Sequence, residues 1–188
     1  MITAFVLATL VDVTTLAPRL RLDIRYATRN NFTHTTLYAH ARCLLHEPVA
    51  RRLAAVEREL AARGLGLVVY DCYRPLSVQK RMWALVPDER YVSDPAKGSR
   101  HNRGAAVDVS LVDARGRALP MPSAYDEFSE RAHRDYAGGT TPEATKAREH
   151  RALLEEVMTR HGFVGLPTEW WHFDAADWQS YPISDEPL

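Results

Sequence analysis

Cysteine is scarce in this chain. Cys43 and Cys72 are the only two in 188 residues, too few for the dense disulfide framework that staples a small secreted domain. They could pair, but buried free thiols are the default expectation. A dominant charge is lacking as well. Lysine plus arginine and aspartate plus glutamate number 24 each, which removes any global electrostatic case for nucleic acid or an anionic membrane and leaves charged ligands to local groups. Long apolar runs are missing too. The stretch 2–10 is too short to span a bilayer and has neither the basic flank nor the cleavage pattern of a signal peptide, so it reads as a strand and the expected location is the cytoplasm, with the periplasm or export as the alternative. With 46% apolar residues the chain can build a sizeable core, and its length suits a single domain over 1–188.

Residues 5–26 read as a half-buried strand pair, with Leu20, Leu22 and Ile24 alternating against Arg19, Arg21 and Asp23, and 28–37 is a polar loop that either delivers Tyr38 to a specific place or merely connects. Pro48 fits the first turn of a helix whose stripe is Val49, Leu53, Val56 and Leu60, stopped by Gly64. An apolar strand over 65–73 follows and ends at Arg74-Pro75. Ser77 is the expected cap of a second helix carrying Val78, Met82 and Leu85. Residues 106–111 alternate, with Ala106, Asp108 and Ser110 on one face and Val107, Val109 and Leu111 on the other.

A hairpin turn at 113–117 is expected to return into a further strand, and a long irregular region follows. Thr141-Pro142-Glu143 opens a third helix with Ala147, Leu154, Val157 and Met158 on its buried side, ending before Gly162. No regular βαβ rhythm runs through this order. The expected fold class is therefore α+β, a small antiparallel sheet flanked by helices.

Chemistry concentrates in two segments, Ser99-Arg-His101-Asn-Arg-Gly104-Ala-Ala-Val-Asp108 and Glu169-Trp-Trp-His172-Phe-Asp174. His101, Asp108 and His172 supply two imidazoles and a carboxylate, the set that holds a catalytic zinc and leaves a fourth position for water. Glu169 is the matching proton acceptor. In a regular strand, residues three apart point to opposite faces, so Glu169 and His172 need a bend, a bulge or a helical turn to converge. His40, His46, His133, His150 and His161 lack ligand spacing and read as surface or capping residues.

These two segments resemble the D-alanyl-D-alanine dipeptidases of the VanX type. The likeness extends in order to Asp23-Ile-Arg-Tyr26-Ala-Thr28 with Asn31-Phe32, to Asp71-Cys-Tyr-Arg74-Pro75 and to Tyr125-Asp126-Glu-Phe128. The resemblance implies the small α+β fold shared by zinc peptidases of the bacterial cell wall and hedgehog domains. It implies one zinc ion per chain on His101, Asp108 and His172, with Glu169 as base and Arg74 stabilising the oxyanion. Ser99 would take the carboxylate end of a small dipeptide and Asp126 its ammonium. Tyr26 and Tyr38 would line the pocket, and Asp71 would stand with Arg74.

Two departures bear on that pocket, because Pro122-Ser123 stands where the family pattern has Gly-Thr and His34 where it has glycine. The nearest rivals are a D,D-carboxypeptidase or an L,D-endopeptidase acting on longer wall peptides. A zinc-stabilised binding module on the same fold is a third, and the base at Glu169 argues against it.

Overall fold

A computed structural model describes residues 9–188. The strand expected over 2–10 therefore lies mostly outside the described residues. In chain order the elements are β1 (Leu10–Asp12), β2 (Arg21–Leu22), β3 (Leu44–His46), α1 (Glu47–Ala62), β4 (Leu65–Asp71), α2 (Leu76–Leu85), β5 (Ala106–Asp113), α3 (Pro142–Arg160), β6 (Phe163–Leu166) and β7 (Glu169–Ala175). Five strands form the main sheet in the order β2-β4-β5-β7-β6, antiparallel except for the two-residue parallel edge β2, while β1 and β3 make a small antiparallel ribbon. This is an α+β fold, as expected.

The stripe of α1 is fully buried at Val49, Leu53, Val56 and Leu60, and the chain leaves the helix through Gly64 at φ +72°. Helix α3 starts as expected, with the Thr141 hydroxyl accepting from the Ala144 amide at 3.2 Å, and buries Ala147, Leu154, Val157 and Met158. Both helices pack against the sheet and against each other. Val107, Val109 and Leu111 join that core, while alternation along β5 turns Asp108 to the other side.

Four expectations change. The pair of cysteines is bonded, Cys43 to Cys72, rather than present as free thiols. The strand pair expected over 5–26 is not formed among the described residues, since β1 pairs with β3 and β2 with β4, and the alternating stretch 20–24 gives only the short β2 because a 3-10 turn over Arg25–Ala27 follows. After the 113–117 turn, the returning chain makes a single bridge, Ala118 to Val112, rather than a strand. Helix α2 begins at Leu76 after Pro75, and the Ser77 amide donates to the Asp185 carboxylate at 2.6 Å, so the cap comes from the C-terminal segment.

Candidate metal centre and substrate cavity

Sheet pairing brings the first two ligands together. Asp108 on β5 is the direct cross-strand partner of His172 on β7, and on its other side it faces Asp71 of β4. His101 comes from the 3-10 turn His101–Arg103, which ends at Gly104. A Cβ added to that glycine would lie 2.5 Å from the Leu10 side chain, and its φ is +56°, so both space and conformation call for glycine there.

The turn is tied down from several directions. The Arg74 amide donates to the His101 carbonyl at 3.0 Å, Asn102 Nδ2 donates to the Arg74 carbonyl at 2.8 Å, and the Ser99 amide donates to Asn102 Oδ1 at 2.7 Å. The chain leading into His101 is thus locked to the segment that follows β4.

His101 Nε2, His172 Nδ1 and Asp108 Oδ1 converge, with separations of 3.1 Å between the rings and 3.0 and 3.4 Å to the carboxylate. The far nitrogen of each ring is spoken for. His101 Nδ1 donates to the Cys72 carbonyl at 2.7 Å and His172 Nε2 to Asp174 Oδ1 at 2.9 Å. Those bonds fix the tautomers and turn both inner lone pairs, with the carboxylate, toward one point.

Such a cluster attracts positive charge. Burial pulls His172 down, but Asp108 and Asp174 outweigh it and push the imidazole up to about 10. Burial likewise opposes the charge of Asp108, yet the two imidazoles hold its carboxyl far below the usual range. The donor set therefore fits a divalent cation that displaces the proton.

The convergence of Glu169 with His172 has a visible cause. Gly165 of β6 faces Phe173, whereas the next residue, Leu166, faces Glu169, so β7 bulges over the intervening residues. Glu169 and the three ligands consequently line one small cavity of about 70 Å³ together with Tyr26, Arg74, Ser99, Arg100, Asp126 and Trp171. Burial raises the Glu169 carboxyl, and nearby Asp108 raises it further. Asp126 is raised well above its ordinary value by burial, with Asp108 and Glu169 adding repulsion. Its carboxylate accepts from the Tyr26 hydroxyl at 3.2 Å.

Tyr38 and Asp71, expected beside the substrate, stand behind Arg74 and outside the cavity wall. Strand β4 ends at Asp71 after a register shift, so strict alternation no longer separates Asp71 from Arg74.

Other residues were not anticipated from sequence. Gln79 is fully buried, accepts from Arg74 Nη1 at 2.8 Å and donates to the Ser93 carbonyl at 2.7 Å. The Tyr125 hydroxyl donates to Asp108 Oδ2 at 2.9 Å. Asp174 carried a usable signal, since it lies two residues beyond His172 and so shares its strand face. Gln79, on an otherwise ordinary helix, carried none. Among the remaining histidines, His46 stands at the N-cap position of α1, the capping alternative of its reading, and is buried rather than on the surface, stacked on Tyr181 with ring centres 4.6 Å apart.

Comparison with known proteins gives a consistent set of similarities. A family model described as peptidase M15, D-ala-D-ala dipeptidase, matches residues 7–185. The D-alanyl-D-alanine dipeptidase of Escherichia coli (strain K12) is 41% identical over 174 residues, covering 93% of this chain and 88% of that protein. That of Enterococcus faecium is 30% identical, covering 87% of this chain and 89% of its own length. A remote match among solved structures, VanYB in complex with D-alanine-D-alanine, covers 73% of this chain and 75% of that one at 18% identity and a TM-score of 0.45.

Proposed function

The chain belongs to the peptidase M15 family of D-ala-D-ala dipeptidases, and from that membership we propose that it is a zinc-dependent dipeptidase, one domain over 1–188, that hydrolyses D-alanyl-D-alanine to two D-alanines. The observation that carries the reading is the convergence of three inward lone pairs and the Glu169 carboxylate on one cavity.

His101, Asp108 and His172 would hold the zinc. Bound there, the ion supplies Lewis acidity, polarising the scissile carbonyl and easing deprotonation of water. Glu169 takes the proton of the attacking water and passes it to the leaving amine, a role suited to a carboxylate whose proton affinity burial has raised. Arg74 offers fixed positive charge where the oxyanion grows, held in place by Asp71 and Gln79. Asp126 takes the substrate ammonium and Ser99 its carboxylate, while Tyr26 keeps a protonated hydroxyl against Asp126 because burial pushes its pKa well up. Tyr38 and Asp71 serve as positioning residues.

The partner is a small dipeptide. No helix among the described residues is long and apolar enough to cross a membrane. A cytoplasmic location belongs to the same proposal. Alkylation in lysates prepared under acid quench tests it: two modified cysteines support the cytoplasm, whereas an intact Cys43–Cys72 bond indicates an oxidising compartment.

The direct test is D-alanine release by the zinc-loaded protein from D-Ala-D-Ala, with L-Ala-L-Ala and N-acetyl-D-Ala-D-Ala beside it. Turnover of the free D,D-dipeptide alone supports the reading. Hydrolysis of the acetylated peptide at a comparable rate would instead make the enzyme a carboxypeptidase.

A further inference from the structure

We propose that Arg100 is a specificity-determining residue that binds the free carboxylate of the dipeptide alongside Ser99, an inference that rests on the dipeptidase reading above. Two arginines line the cavity, Arg74 and Arg100. Their hydrogen-bonding commitments differ. Arg74 has all three guanidinium nitrogens engaged, Nε and Nη2 with Asp71 and Nη1 with Gln79. Arg100 donates no hydrogen bond among the described residues. Its buried Nε has no acceptor within reach, and the closest carboxylate oxygen, Asp174 Oδ2, is 3.6 Å away.

The side chain is nevertheless held in place. Its guanidinium lies 4.8 Å from the Trp178 ring centre, stacked on that face, and the ion pair with Asp174 steers it from the other side. A pre-positioned planar fork with open donors matches a carboxylate better than any other group on this wall.

Its place along the chain suits the carboxylate end of the substrate. Arg100 follows Ser99, whose Oγ accepts from the His101 amide at 3.2 Å and so keeps its own proton free to donate. The three residues Ser93, Ser99 and Arg100 also form part of a second, wider groove of about 330 Å³ that adjoins the cavity there. The other cations of that groove are occupied, since Lys97 pairs with Glu89 at 2.8 Å and Arg103 donates to the Tyr181 carbonyl at 2.6 Å. Asp126 is assigned to the ammonium and Glu169 to the attacking water, which leaves the Ser99–Arg100 wall as the seat of the carboxylate.

The test compares D-alanyl-D-alanine with D-alanyl-D-alaninamide, which has the same peptide bond but no carboxylate, using wild type, Arg100→Ala and Arg100→Lys with zinc content measured for each. Wild type is expected to prefer the acid. Arg100→Ala should raise KM for the acid about tenfold to a hundredfold, the range for a charge-assisted bond, with kcat and the amide's constants little changed. Arg100→Lys should restore part of the preference, because it keeps the charge and loses the fork.

A parallel loss on acid and amide, or a fall in zinc content, would instead assign Arg100 a structural role through Asp174 and overturn the proposal. Unchanged discrimination in Arg100→Ala would overturn it as well. If wild type neither turns over nor binds D-Ala-D-Ala by calorimetry, the dipeptidase reading itself fails and this inference falls with it.

Discussion

Asp71 grips Arg74 through a single carboxylate oxygen, Oδ2, which accepts from Nη2 at 2.6 Å and from Nε at 3.2 Å, while the Tyr38 hydroxyl and the Cys72 amide occupy Oδ1. Asp71 is fully buried, so the pair is dry and its geometry is set from both ends. If Arg74 stabilises the oxyanion, Arg74→Ala should lower kcat about 10²- to 10³-fold with a smaller change in KM. Asp71→Asn leaves the guanidinium in place with a weaker hold, so its loss in kcat should be smaller, about tenfold. Steady-state kinetics on D-Ala-D-Ala checks the split; an effect confined to KM would make Arg74 a substrate-binding group.

Acid should switch the enzyme off earlier than an ordinary glutamate would. Burial raises Glu169, and a base works only when deprotonated, so the acidic limb of kcat against pH should lie above the usual glutamate pKa of about 4.3. Asp126 is raised for the same reason, and it binds an ammonium only as the carboxylate. Asp126→Asn should therefore raise KM and flatten its acid dependence, whereas Glu169→Gln should abolish turnover and retain zinc. A pH profile of kcat and kcat/KM for wild type and Asp126→Asn, with turnover and zinc content measured for Glu169→Gln, separates the two groups. An acid limb that survives unchanged in Asp126→Asn for both parameters would mean that Asp126 is not titrating in the working range.

Local rules made much of this arrangement legible. The stripe Val49, Leu53, Val56 and Leu60, the Thr141 cap and the alternation around Asp108 each follow from a period or a side-chain chemistry confined to a few residues. The site clustered because its motifs do: His101 and Asp108 flank one turn, and Glu169 and His172 one bulge.

What escaped depended on partners distant in sequence. The Ser77 amide is capped by Asp185, Gln79 is recruited by Arg74 and Ser93, and Tyr38 turns toward Asp71 rather than into the cavity. The Cys43–Cys72 bond belongs to the same group, since it depends on β3 lying beside the end of β4, a proximity no spacing rule reveals.

Removing Asp174 should weaken metal binding without removing a ligand. Its Oδ1 receives the His172 Nε2 proton at 2.9 Å, which keeps the inner Nδ1 free for the ion. Asp174→Asn should lower zinc affinity about tenfold to a hundredfold, the usual cost of losing such an outer partner. Competition with a chromophoric chelator measures it. Equal affinity in variant and wild type would show that the His172 tautomer is held by something else.

The bond between Cys43 and Cys72 joins residues 29 apart in sequence, and on the chain-entropy account a loop of that size contributes about 3–4 kcal/mol to stability. It also tethers the backbone on which the site depends. The Cys72 carbonyl fixes the His101 tautomer, the Tyr73 amide donates to the Leu44 carbonyl at 3.0 Å, and Asp71 and Arg74 flank the bridge on either side. Breaking the bond should therefore lower the urea midpoint of the zinc-loaded protein while leaving much of kcat intact, because those hydrogen bonds persist with reduced thiols. Urea titrations of the oxidised protein and of Cys43→Ser, each assayed for turnover before denaturant is added, measure both effects. A variant that keeps its midpoint would show that the hydrogen bonds alone secure this corner. One that loses turnover at full zinc occupancy would show that the bond itself aligns His101 and Arg74.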